Sequence, residues 1–377
     1  MKYPFLILIC LPFFLYKNGI AQTPDTLTYT SLHQLIPEDR KLYFIGEFHI
    51  DDTGIYRDGP WHDSIVNTAT LLEDSIRLIL AGKCNVKTFV LESPVCFEYF
   101  YNKYITSGDE DWVYSCETRE YQQNKIRSIR NIALESGGIT IKCIDTDEKY
   151  ITGTVIDALF LLTFFDNFDE GKEFSRTSVY SDTVKYWDRS FEYDAWRNKR
   201  IYNDTIRRFS MHIYNLTNEF SLFKSRQLYK LLSAAKEDSI LQLGLRNYYQ
   251  ENYPYFVRLS NSYLNCYHLK AKRKKTHPYW IKREEIMTEN LKNIIKSDTT
   301  SNYCLQIGNA HVIPNGFFEN TRERMIRYLD DKPYNIIMLP QYYNCSACTG
   351  IENVNFDFDG FFRYEKASEN EMYYIIK

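Results

Sequence analysis

The sequence lacks the motifs that announce many common chemistries. It has no Gly-x-Ser-x-Gly elbow, no Gly-rich P-loop ending in Lys-Ser/Thr, and no Gly-x-Gly-x-x-Gly turn. A nucleophile-elbow serine, a P-loop nucleotide site and a dinucleotide fingerprint therefore have no support. Strong charge of either sign is missing too: a net charge of −3 gives no bulk field to recruit nucleic acid or anionic lipid. The one prominent apolar run, Tyr3 to Tyr16, is shorter than the ~20 residues a membrane span needs, and no later stretch is long and apolar enough. There is no internal repeat, no low-complexity segment and only seven histidines.

What is present fits a protein with a buried core. The chain has 377 residues, 44% of them hydrophobic, which argues against disorder. The 32 Tyr and 24 Phe read as compositional bias rather than as stacking platforms. Lys2, the apolar run, and then Lys17-Asn18-Gly19-Ile20-Ala21-Gln22 read as a signal peptide over 1–21, cleaved after Ala21. Export to the periplasm or medium is the expectation, with no membrane span once the signal is removed. Little apolar chain precedes Cys10, which disfavours a lipoprotein. Eight cysteines would remain, with no connectivity to be read from sequence. Cys345-Ser-Ala-Cys348, the sole CxxC, reads as a local disulfide or two structural thiols, because a zinc site would need a second ligand pair.

The hydrophobic pattern predicts an α/β fold: a central, mainly parallel sheet flanked by helices, with a large helical insertion. Lys41-Leu-Tyr-Phe-Ile-Gly46, Lys87 to Leu91 and Ile139 to Ile144 read as buried strands. Helices over Asp63 to Leu80 and Glu120 to Ser136 separate them, the second stopped by Gly137-Gly138. Strand, helix, strand, helix, strand implies parallel pairing with crossovers. Residues 22–150 form the first part of this core. Residues 151–280, rich in aromatic and charged residues with few Gly or Pro, read as a helical insertion or cap. Its Lys270 to Lys275 run reads as a solvated loop. Residues 281–377 return to the core, with a helix over Trp280 to Lys296 and strands over Asn302 to Ile307, Asn335 to Leu339 and Met372 to Ile376.

In an open parallel sheet, ligands bind beyond the carboxyl ends of the strands. The first strand ends in Gly46-Glu47-Phe48-His49, the second in Leu91-Glu92-Ser93-Pro94, the third in Asp145 and Asp147, and a later one in Gly308-Asn309-Ala310-His311. Two histidines and two glutamates at one edge could form a general-base site, a carboxylate fixing the imidazole tautomer. They could equally ligate a divalent metal. His62 opens the first helix and could reach the same edge, whereas His33, His212, His268 and His277 lie outside strand ends.

These motifs, in this order, resemble the erythromycin esterase-like family. Leu91-Glu92-Ser93-Pro94 followed by Asn102-Lys-Tyr104-Ile105-Thr-Ser-Gly108-Asp109 is similar to its strand and the stretch beyond it. Cys143-Ile144-Asp145 resembles its Gly-(Ile/Phe)-Asp. Arg283-Glu284-Glu-Ile-Met287-Thr-Glu-Asn290-Leu291 resembles the helix before its Asn-x-His. Phe358-Asp359-Gly-Phe-Phe is similar to its closing strand, and the likeness runs from about 41 to 365. Two positions depart from it: His49 follows Glu47 by two residues rather than three, and Gly308 replaces a histidine. Both resemble the wider superfamily of ChaN-type haem-binding lipoproteins and Tiki/TraB proteins.

The resemblance implies a hydrolase acting on an ester or lactone of a small molecule, with no cofactor. His49 would be the general base, Glu47 and Glu92 its orienting carboxylates, and His311 and Arg283 the groups meeting substrate or oxyanion. Asn309, His62 and Asp145 would line the substrate. The alternative is a ChaN/Tiki-like metal- or haem-binding protein or metallopeptidase, with Glu47, His49 and His311 as ligands.

Overall fold

The computed structural model describes residues 10–11, 25–26, 33, 36, 38, 41–47, 73–146, 151–164, 179–181, 184–186, 204–218, 221–269, 277–308, 311–312, 319–328, 335–338, 362–367 and 370–375. The signal cleavage site, His49, His62, Asp147, the 270–275 basic run, Asn309, the Cys345 and Cys348 pair and the 358–361 motif lie outside them. The chain divides into two compact units. One comprises 1–92, 119–142 and 287–377, the other 93–118 and 143–286.

The first unit carries the sheet. Its strands are β1 (Leu42–Glu47), β2 (Val86–Pro94), β3 (Thr140–Asp145), β4 (Asn302–Gly308), β5 (Asn335–Met338), β6 (Phe362–Ala367) and β7 (Asn370–Ile375). β2 and β3 run on into the second unit. The sheet order is β6-β7-β5-β1-β4-β2-β3. β1 pairs in parallel with β4 and β5, β2 with β4, and β7 with β5, while β6 and β7 at the edge form an antiparallel ribbon. The fold is α/β with a mainly parallel sheet, as the strand–helix rhythm predicts.

Burial explains why these segments are strands. All six residues of β1 are buried, as are the last six of β4, and strands covered on both faces read as continuous apolar runs. Two polar residues break the apolar runs, Glu47 at the end of β1 and Gln306 inside β4. Residues 73–82 form helix α1. Helix α4 (Glu120–Ser136) buries Gln122, Lys125, Ile126, Ile129, Ile132 and Ala133, one stripe at helical spacing. It stops where Gly137 and Gly138 adopt φ of 73° and 60°, a backbone that favours glycine.

The second unit is mostly helical. Between β2 and α4 lie α2 (Phe97–Ser107) and α3 (Asp111–Tyr114), which the strand–helix pattern does not predict. The run Phe97-Glu-Tyr-Phe-Tyr101 is ambiguous by periodicity because both faces of α2 are covered. Then come α5 (Ile151–Phe164), α6 (Asp204–Asn218), α7 (Ser221–Glu237), α8 (Ser239–Tyr249), α9 (Tyr253–Leu269) and the start of α10 (His277–Ser297). Many of its aromatics are core: Tyr249 stacks on Phe256 with centroids 4.7 Å apart, and the Tyr249 hydroxyl shares a 2.7 Å hydrogen bond with Thr163. Cys84, Cys96, Cys116, Cys143, Cys266 and Cys304 are thiols. No helix among the described residues is long and apolar enough to cross a membrane.

Candidate active site

The sheet order places three chain-distant strand ends side by side. β4 lies between β1 and β2, and Glu47 is the register partner of Gly308. The Glu92 carboxylate reaches across to β4: its Oε2 accepts the Gly308 N–H at 2.6 Å. Its Oε1 lies 3.1 Å from Nε2 of His311, just past the end of β4. Both side chains are buried, and the carboxylate orients the imidazole beside it.

Glu47 is held differently. Its Oε2 accepts from the Lys125 ammonium at 2.6 Å, while its Oε1, also buried, has no hydrogen-bond partner among the described residues. A buried carboxylate oxygen left open is costly, so it marks a place where a donor is wanted. Beneath it lies a second layer. Gln306 and Gly308 share one face of β4, and Glu47 points to that face through its pairing with Gly308. There Arg77 donates Nη2 to Glu73 Oε2 at 2.6 Å and Nε to Gln306 Oε1 at 2.8 Å. The Gln306 amide and the Tyr121 hydroxyl both donate to Glu73, at 3.0 Å each. Arg77 also reaches Asp74 at 2.5 Å.

Burial dominates the electrostatics here. It raises the Glu73 carboxyl to about 7, the nearby Glu47 charge adding to the rise while Arg77 and Lys125 oppose it. Burial likewise holds the Tyr121 hydroxyl well above its usual range, with the charges of Glu73 and Glu47 adding to the rise.

Arg283 and Asp145 belong to the second unit, and Arg283 is committed to a partner there. Its Nε and Nη2 grip the two Asp145 oxygens at 2.9 and 2.7 Å, and the guanidinium lies 5.5 Å from the Trp280 ring centroid. Such a bidentate pair fixes the β3 end to α10. Of the residues expected at the site, the first unit thus brings together Glu47, Glu92 and His311.

Lys125, Glu73, Arg77 and Gln306 are additions that strand-end reasoning misses. A signal for them exists. Lys125 falls on the Ile126, Ile129, Ile132 stripe of α4, and Glu73 and Arg77 fall beside Ile76 and Leu80 on α1, where a charge must have a buried partner. Among the described residues no three His, Cys, Asp or Glu side chains are grouped to hold a metal ion.

No family model matches the chain, and no curated protein matches it in sequence. Solved structures do. A Bacillus cereus protein aligns with a TM-score of 0.51 at 11% identity, over 84% of this chain and 70% of its own. An erythromycin esterase in its open conformation aligns at 0.48 and 10%, over 83% and 73%. A haem-binding ChaN of Campylobacter jejuni aligns at 0.34 and 8%, over 86% and 90%. The likeness to the Bacillus cereus protein supports the α/β fold.

Proposed function

We propose that the chain is an exported hydrolase in which Glu47, Glu92 and His311, with His49 two residues after Glu47 in the sequence, activate water against an ester or lactone of a small molecule. The observation that carries this reading is the buried His311–Glu92 pair beside Glu47, whose second oxygen is left open by the described residues. An imidazole oriented by a carboxylate can move a proton at neutral pH, and a second carboxylate with an open oxygen can hold the attacking water or the imidazole that activates it. Water is the nucleophile this set favours, since no serine elbow is present. The motif resemblance supplies the bond class. Arg283 contributes by fixing Asp145 rather than by meeting the oxyanion itself.

A divalent metal or haem is the second reading, motivated by the Gly46-Glu47-x-His49 spacing. The described part of the donor set fits it less well, because Nε2 of His311 faces Glu92 and Lys125 covers one oxygen of Glu47. One experiment separates the two. The full chain is assayed for hydrolysis of a panel of aryl esters and lactones, and the same sample is analysed for metal and scanned for haem absorbance. Turnover by metal-free protein supports the hydrolase. Stoichiometric metal or haem, with no ester cleaved, would overturn it.

A further inference from the structure

The layer under Glu47 holds more acid than base. Among the described residues Glu47, Glu73 and Asp74 pair with Lys125 and Arg77, three potential negative charges against two positive. The side chains of Glu47, Glu73, Arg77 and Lys125 are all 4% exposed or less. An uncompensated charge at such depth is expensive, and a carboxyl group answers by taking up a proton.

Geometry says which carboxyl takes it. Glu47 has Lys125 to itself at 2.6 Å. Asp74 is 35% exposed and accepts from both Arg77 and Ser128. Glu73 must share Arg77 with Asp74. Its Oε2 takes the Arg77 and Gln306 donors and shares the Tyr121 hydroxyl at 3.1 Å, whereas among the described residues its Oε1 meets that hydroxyl alone, at 3.0 Å. A hydroxyl can turn from donor to acceptor, so Oε1 can carry a proton while the Arg77 and Gln306 bonds to Oε2 stand.

We propose that Glu73 carries the proton of this cluster and so acts as a positioning residue for Glu47, leaving Lys125 committed to Glu47 and Glu47 Oε1 open as an acceptor. The groups facing Glu73 are Arg77 and Asp74 from α1, Glu47 from β1, Tyr121 and Lys125 from α4 and the Cys304 thiol from β4. Burial and the Glu47 charge place its titration in the neutral range. The folded carboxyl then binds its proton more tightly than the unfolded one. The stabilisation is full below the unfolded value of 4.5 and is lost as pH rises through about 7.

Only the consequence for Glu47 rests on the hydrolase reading; the place of the proton does not. The test is NMR titration of the side-chain carboxyl carbons in glutamate-labelled full chain, between about pH 5 and 9. One resonance should titrate near neutrality. It should vanish in Glu73→Gln and move to a lower midpoint in Glu47→Gln. A Glu73 signal flat across the range, or a neutral-range signal that disappears in Glu47→Gln instead, overturns the assignment. Thermal melts give a second measure: the wild-type midpoint should fall with rising pH more than that of Glu73→Gln. The positioning role is read from the pH profile of kcat/KM on an ester from the panel. The loss of rate above neutrality should be reduced in Glu73→Gln, and a profile superimposable on wild type overturns that role. Wild-type protein that cleaves no ester yet shows the Glu73 titration sinks the hydrolase reading and leaves the proton where it is placed.

Discussion

Lys125→Met should destabilise the chain by about 3–5 kcal/mol, the usual cost of stripping one partner from a buried ion pair. Glu47 is 1% exposed, and Lys125 is the group hydrogen-bonded to its carboxylate. With the ammonium gone, neither Glu47 oxygen would have a donor among the described residues, since Oε1 already has none there. Methionine fills much of the lysine volume, so the loss reads charge rather than cavity. The double variant Lys125→Met with Glu47→Gln should recover more than half of the loss, because a neutral amide has no charge to strand. Urea denaturation of the four proteins closes the cycle. A Lys125→Met variant as stable as wild type would mean that the pair does not form.

Glu92→Ala should cost both stability and activity. The carboxylate satisfies the Gly308 N–H with one oxygen and His311 with the other. Removing it leaves two buried groups short of these acceptors, at about 1–3 kcal/mol each. The imidazole also loses the anion that orients it, and turnover should fall by ~10²–10⁴. Glu92→Gln separates the two effects. Its amide oxygen can still accept from Gly308, so stability should fall by less than half as much while turnover falls nearly as far. Equal activity in Glu92→Gln and wild type would leave the carboxylate with a structural role only.

The legible part of this molecule was what local pattern determines. Buried parallel strands are continuous apolar runs, so β1, β2, β3 and β4 could be found to within a residue or two at most ends, and the Gly137-Gly138 stop fixed the end of α4. Glu47, Glu92 and His311 were legible because a polar residue directly after such a run sits where loops open. The sheet order was not legible. That β4 inserts between β1 and β2 is a choice among crossovers, and it alone sets Glu92 on Gly308. Helices α2 and α3 escaped because the aromatic run from Phe97 has no polar face to reveal its period. Lys125 escaped for a related reason: a lysine in a helix looks solvated until its position on the Ile126–Ile129–Ile132 stripe is weighed. The Arg283 match was also legible, but its commitment to Asp145 depends on a long-range contact that spacing does not encode.

The most direct test is the rate of ester or lactone hydrolysis by His311→Asn beside wild type, on the best substrate of the panel, with urea midpoints measured on both. In the proposed function the imidazole paired with Glu92 is the group on which the chemistry turns. His311→Asn should therefore fold, keep a midpoint near that of wild type and lose ~10²–10⁴ of its turnover. A folded His311→Asn protein that hydrolyses the substrate at the wild-type rate would contradict the account.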